Sequence, residues 1–227
     1  MIPIRDELHT TRKPFVTVGL IVLNCVVFLW QITRPAPVQA AIVFSYGAIP
    51  ARLMADFQQL PLFPAHWFTL ISSMFLHGGF LHLIGNMLYL WIFGNNVEDY
   101  LGHFRFILFY FACGIVAALT HAVSEFASTV PMIGASGAIS GVLGAYLLLF
   151  PRARVVVMIW FFFFLRFVRV PAFVVLLLWF LIQISGLFSA PVQAGGVALW
   201  AHVGGFVFGF AVVRLLGGPR RPKPYFA

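Results

Sequence analysis

Residues 134–150 read Gly-Ala-Ser-Gly-Ala-Ile-Ser-Gly-Val-Leu-Gly-Ala-Tyr-Leu-Leu-Leu-Phe, followed by Pro151, Arg152 and Arg154. The run carries no charge, Gly137, Gly141 and Ala145 recur every fourth residue, and Pro151 closes it. That pattern predicts an apolar helix with one small face against which a second backbone packs closely. Ser136, at its start, is polar. Two other apolar runs also hold polar groups: His82 and Asn86 in one, His202 in the other. Hydrocarbon penalises such groups unless they find partners or face an internal cavity. Three runs bearing them point to a polar site enclosed by apolar helices.

Composition fixes the class. Charged residues make up 9% of the 227 and apolar residues 62%; an ordinary soluble domain carries about 25% charged residues. Mean hydropathy is +0.99. A soluble core cannot absorb that much apolar surface, so most of it faces a lipid bilayer. The net charge of +8 does not mark a nucleic-acid partner. The basic residues stand at the ends of apolar runs, as juxtamembrane anchors do. Cys25 and Cys113 each lie inside an apolar run and read as packing residues, not as a disulfide or metal site.

Along the chain, residues 1–13 form a cytoplasmic N-terminal segment. Residues 14–216 form the membrane domain, and 217–227 a basic cytoplasmic tail. The first helix covers Pro14–Thr33, 20 residues against about 7–15 for a signal-peptide core. A loop of about residues 34–79 follows, with a short surface helix near Pro50–Gln59. His77-Gly78-Gly79 interrupts the next apolar run, so the second helix is placed from about Phe80 to Val97. The third spans about Phe104–Val123, the fourth Ser136–Phe150, the fifth Pro171–Phe188 and the sixth Gly195–Leu216. Val155–Leu165 has 11 apolar residues, too few to span, and reads as an interfacial segment. The expected fold is therefore all-α: a polytopic bundle of six transmembrane helices.

Six spans place both termini on one side. With the termini inside, all of the 14 basic residues except Arg34 and Arg52 are cytoplasmic, a strong positive-inside bias. Depths follow. Ser136 lies 16 residues before Arg152 and His82 lies 16 before Glu98, each about 24 Å along a helix. Asn86 lies 12 before Glu98 and His202 lies 12 before Arg214, about 18 Å each. In a core about 30 Å thick, all fall some 6–12 Å below its outer boundary.

These residue types suit acyl transfer. A serine hydroxyl is a poor nucleophile until a base takes its proton, and His202 supplies an imidazole. Ser136 near a helix N-terminus has unpaired backbone N–H groups that favour negative charge. His82 and Asn86, four residues apart, share a helix face and offer further donors for an oxyanion. The stripes Gly137-Gly141-Ala145 and Ala201-Gly205-Gly209 would bring the fourth and sixth helices together, and Ser136 near His202. Taken singly, each residue has a plainer reading. A serine among glycines is a packing residue, a lone intramembrane His or Asn a hydrogen-bonded structural group, and His77 a structural loop histidine. The combination at matched depth favours chemistry.

Other intramembrane chemistries lack their parts. No His-Glu-x-x-His occurs, so no metal is expected. Asp6, Asp56 and Asp99 are terminal, in a loop or interfacial, which leaves no pair of intramembrane carboxylates. Glu98 reads as capping a helix end on the cytoplasmic side. With no acid near the site, the economical arrangement is a Ser136/His202 dyad. Inverted repeats of the transporter kind are absent.

The set His77-x4-His82-x3-Asn86, Gly134-Ala135-Ser136-Gly137 and Ala201-His202-x2-Gly205-x3-Gly209 resembles the rhomboid family of intramembrane serine proteases in order, spacing and helix placement. The resemblance implies Ser136 as nucleophile, His202 as base, and His82, Asn86 and the Ser136 backbone N–H as oxyanion hole. It implies no cofactor. The implied partners are transmembrane segments of other membrane proteins, cut near their outer end. It makes residues 34–65 a membrane-embedded loop and the fifth helix a lateral gate. The form without appended domains points, by analogy, to a bacterial inner membrane. Two positions depart from many relatives. Ser140 replaces an aromatic that packs on the histidine, leaving Phe206 or Trp200 to orient His202. Phe68-Thr69 replaces a Trp-Arg pair in the loop. The alternative is a catalytically inactive relative that binds membrane helices. Oligomeric state is not legible.

Overall fold

A computed structural model describes residues 2–59, 65–161, 164–189 and 198–218. The apolar runs form helices. Helix α1 (Phe15–Ile32) leads into α2 (Ala36–Tyr46), α3 (Pro50–Gln59) and the single turn α4 (Thr69–Ser72), which carry the first loop. Helix α5 (Phe80–Tyr89) continues through a π turn at Leu90–Gly94 into α6 (Asn95–Leu101). Then come α7 (His103–Ser124), α8 (Ser136–Leu149), α9 (Ala172–Ser189) and α10 (Leu199–Leu215).

Helices α1 and α7 are each long and apolar enough to cross a membrane alone. Thr69–Phe75 and Phe80–Leu101 meet that test together, bent by 99° at the break between them. The break falls on Leu76–Gly79, where the sequence places its interruption. Helices α8 and α10 and the Ala172–Gly186 part of α9 are shorter apolar helices.

Helix α8 is the centre of the fold. Every residue from Ala138 to Tyr146 is buried, so it packs on all sides instead of showing a polar face. Its small face meets α10 backbone to backbone. A β-carbon at Gly205 would collide with the Gly137 carbonyl oxygen, and one at Gly209 with that of Gly141. In reverse, one at Gly144 would strike the Phe206 carbonyl oxygen. Such close approach replaces hydrophobic drive with van der Waals packing.

The all-α expectation needs correction. Strands β1 (Ile2–Asp6), β2 (Arg154–Phe161) and β3 (Phe164–Pro171) form an antiparallel sheet in the order β1-β2-β3. Residues 2–6 of the N-terminal segment are therefore a strand, and the described part of the Val155–Leu165 segment is extended within β2 and β3. The physical reason is composition: β-branched and aromatic residues at 155–161 fit a pleated surface. Val155 and Val157 are both buried while Trp160 is exposed. Apolar residues on both faces had hidden the alternation that marks a strand.

Glu98 caps a helix as read, but the helix is α1. Its Oε1 accepts from the Val16 N–H at 2.9 Å, and its Oε2 from the Thr17 N–H at 2.7 Å and the Thr17 hydroxyl at 2.6 Å. His103 Nδ1 lies 2.6 Å from Oε1. The carboxylate satisfies first-turn N–H groups that have no acceptor within their own helix. The first loop is tied down without the Trp-Arg pair. Asp56 accepts from the His66 N–H at 2.7 Å, and Ala48 pairs with Met132. The Tyr46 and Phe68 rings meet edge-on at 6.1 Å.

Candidate active site

The loop before α8 places Ser136. Gly134 adopts φ +118°, a left-handed value that disfavours a side chain. Its N–H donates to the Ser73 carbonyl at 2.9 Å. A β-carbon there would sit 2.7 Å from His82 Nε2, so glycine is needed for space as well as for φ. Ser136 is the first residue of α8. Its own N–H and those just after it have no acceptor within the helix.

Across the α8–α10 contact, His202 Nε2 lies 2.8 Å from Ser136 Oγ. His202 is 7% exposed. Its other nitrogen, Nδ1, lies 2.8 Å from Gln183 Oε1 on α9. The Trp179 ring leans on it, with centroids 5.8 Å apart and a 37° tilt.

On α5, the Gly78 N–H lies 3.4 Å from His82 Nδ1. Asn86 Nδ2 lies 3.0 Å from His77 Nε2. His77 is fully buried, and Gln31 of α1 grips its backbone: Gln31 Nε2 donates to the His77 carbonyl at 2.9 Å. His77 thus links α1 to Asn86. A cavity of about 740 Å³ is lined by Ser136, His202, His82 and Asn86 together, with Gln183 and Trp179 also on its wall. The structure brings these four polar residues to one space; His77 stands behind Asn86. Among the described residues, no cluster of three or more His, Cys, Asp or Glu side chains is arranged to hold a metal.

Two residues were missed by sequence reasoning. Neither Phe206 nor Trp200 contacts the imidazole in the way Gln183 and Trp179 do. Phe206 acts at one remove, stacked on Trp179 at 6.1 Å and on Phe180 at 4.4 Å. Trp200 is exposed. The signal was present: Gln183 is an amide within the apolar run of α9, and such a residue requires a partner. At the Ser140 departure, the hydroxyl donates back to the Ser136 carbonyl at 2.6 Å.

Comparison with known families gives a match to the Rhomboid domain over residues 64–219, well over half of the chain. The chain belongs to the rhomboid family. This rhomboid is accordingly an integral membrane protein of helical build. It is 30% identical over 210 residues to Rhomboid protease GluP of Bacillus subtilis, covering 92% of this chain and 36% of that protein. It is 37% identical over 95 residues to Rhomboid protein 1, mitochondrial, of Saccharomyces cerevisiae, covering 40% of this chain and 28% of that one. Presenilin-associated rhomboid-like protein A, mitochondrial, of Danio rerio is 27% identical over 139 residues, covering 60% and 33%. This chain thus spans 28% to 36% of the length of these three relatives.

Proposed function

We propose that this rhomboid is an intramembrane serine endopeptidase acting on transmembrane segments of other membrane proteins. The observation that carries the reading is the 2.8 Å approach of His202 Nε2 to Ser136 Oγ inside a shared cavity. His202 Nε2 takes the hydroxyl proton as Oγ bonds to the scissile carbonyl carbon. Negative charge collects on the carbonyl oxygen, which needs donors already aimed at it. The Gly78 N–H on His82 Nδ1 leaves Nε2 to carry the imidazole proton as one donor. Asn86 has two amide hydrogens, one of them taken by His77, and the other is a second donor. The Ser136 backbone N–H is a third. His202 then gives its proton to the leaving amine nitrogen. Water then attacks the acyl carbon while His202 takes its proton, and His202 passes that proton to Ser136 Oγ as the Oγ–carbon bond breaks and the carboxylic acid leaves. No step needs a cofactor.

The relevant topology has six spans over residues 14–216 and both termini in the cytoplasm, in a bacterial inner membrane. In that topology helix α8 sets the depth of Ser136: 14 residues give about 21 Å. With its C-terminal end anchored by Arg152 and Arg154 at the inner boundary of a core about 30 Å thick, Ser136 lies about 9 Å below the outer one. A peptide bond in a spanning helix is dry and internally hydrogen-bonded. Helix-breaking residues near the outer end of a substrate therefore favour cleavage.

The test is cleavage of a model transmembrane substrate in proteoliposomes. The unmodified chain cuts, while Ser136→Ala and His202→Ala each lower the rate by at least about 10²-fold. Undiminished cleavage by Ser136→Ala would reject the reading. Binding of the segment without any cleavage would make the chain an inactive helix-binding relative.

A further inference from the structure

We infer that Gln183 is a positioning residue that fixes the tautomer of His202, so that a side chain of α9 decides whether the imidazole can act as a base. The inference rests on the peptidase reading above. The backbones of α8 and α10 are locked by the glycine contacts at Gly137–Gly205 and Gly141–Gly209. Those contacts fix where His202 is rooted, but not which of its nitrogens carries the proton. Neutral imidazole has one N–H and one lone pair, and their positions follow from the bond the other nitrogen makes.

Gln183 sets that bond. Its Nε2 donates to the Trp179 carbonyl, one turn back on α9, at 3.2 Å. Its amide oxygen is thereby turned towards His202 Nδ1, 2.8 Å away. An amide oxygen only accepts, so Nδ1 carries the hydrogen. Nε2 then presents its lone pair to the Ser136 hydroxyl at 2.8 Å. The opposite tautomer would set two acceptors against each other at Gln183. It would also offer Ser136 an N–H that cannot receive a proton. Trp179 serves twice: its carbonyl holds the amide, and its ring leans on the imidazole. Among the described residues, the titratable groups that interact with His202 are His82 from α5 and His121 from α7. The orienting partner is therefore a neutral amide in the place a carboxylate takes in a Ser-His-Asp triad.

Three measurements test this. In unmodified protein with ¹⁵N-labelled histidine, the His202 resonances assigned through His202→Ala should report the Nδ1-protonated tautomer. The Nε2-protonated form would overturn the inference, whether or not the chain cleaves anything. Gln183→Leu should leave KM unchanged and lower both kcat and the rate of fluorophosphonate labelling by about 10–100-fold, the cost of an imidazole N–H left buried without an acceptor. Gln183→Glu restores an acceptor. It should recover most of kcat and move the acid limb of the pH profile to higher pH, because a carboxylate favours imidazolium. Rates for Gln183→Leu within about twofold of the unmodified chain would also overturn it. So would a Gln183→Glu variant as slow as Gln183→Leu with an unmoved profile. Cleavage surviving Ser136→Ala would instead reject the peptidase reading and leave the tautomer result standing.

Discussion

Replacing Glu98 should cost more than replacing almost any other acid in this chain, and the structure says how much. Four donors converge on its carboxylate: the Val16 and Thr17 N–H groups, the Thr17 hydroxyl and His103 Nδ1. Glu98 and Thr17 are fully buried. The His103 side chain is 41% exposed, so water replaces its bond. The two Thr17 donors have no such recourse. Each buried donor left unmade costs about 1–3 kcal/mol, and the Thr17 hydroxyl can fall back on a carbonyl of its own helix. Glu98→Ala should therefore lose about 2–4 kcal/mol, plus a cavity cost. Glu98→Gln is the sharper probe because it leaves no cavity. Its amide must turn an N–H towards groups that are themselves donors, so it should still lose about 2–3 kcal/mol. For a chain of this size that is a fall in Tm of about 4–12 °C. The assay is thermal unfolding in bicelles, with hydrogen exchange at Val16 and Thr17 as the local readout. A Glu98→Gln variant melting within about 1 °C of the parent, with both amides still protected, would refute the reasoning.

Gly209→Ala should separate α8 from α10, because its new methyl group meets the Gly141 carbonyl oxygen. A loss of about 1–3 kcal/mol and slower cleavage are expected, measured by unfolding and by the proteoliposome assay. Gly134→Ala should keep the fold but lower the cleavage rate, since both its φ of +118° and the 2.7 Å approach to His82 Nε2 oppose a β-carbon. Asp6 gives a pH signature. Burial holds its carboxyl above the ordinary 3.8, against the bonds from Tyr146 and Asn96 that favour the ionised form. A raised value means that its stabilising contribution is complete below 3.8 and is lost as pH rises through the folded value. Asp6→Asn should flatten the decline in Tm between pH 3.8 and the raised folded value, and melt no lower than the parent at neutral pH.

The helices were legible because an apolar run bounded by charge or proline has few other outcomes. Ser136, His82, Asn86 and His202 stood out because polar groups in such runs demand partners. Matched depth could be computed from spacing alone. That their faces meet could not, since it depends on how α8 and α10 cross; the glycine contacts supply it. The sheet was illegible for a different reason. Lipid and the bundle both reward apolar residues, so Val155–Phe161 shows no alternation. One of its two partner strands, Ile2–Asp6, lies about 150 residues away in sequence. Gln183 was visible as a polar residue in an apolar helix, but its partner was not. Glu98 was read as a cap from its place at a helix end. The helix it caps starts at Phe15, and only tertiary structure brings that end to it.

The most direct measurement is the site of covalent modification by a fluorophosphonate, mapped by mass spectrometry on protein reconstituted in lipid. The account predicts a single adduct on Ser136, formed at a rate that falls by at least about 10²-fold in His202→Ala. An adduct on another residue, or unchanged labelling of Ser136 without His202, would contradict it.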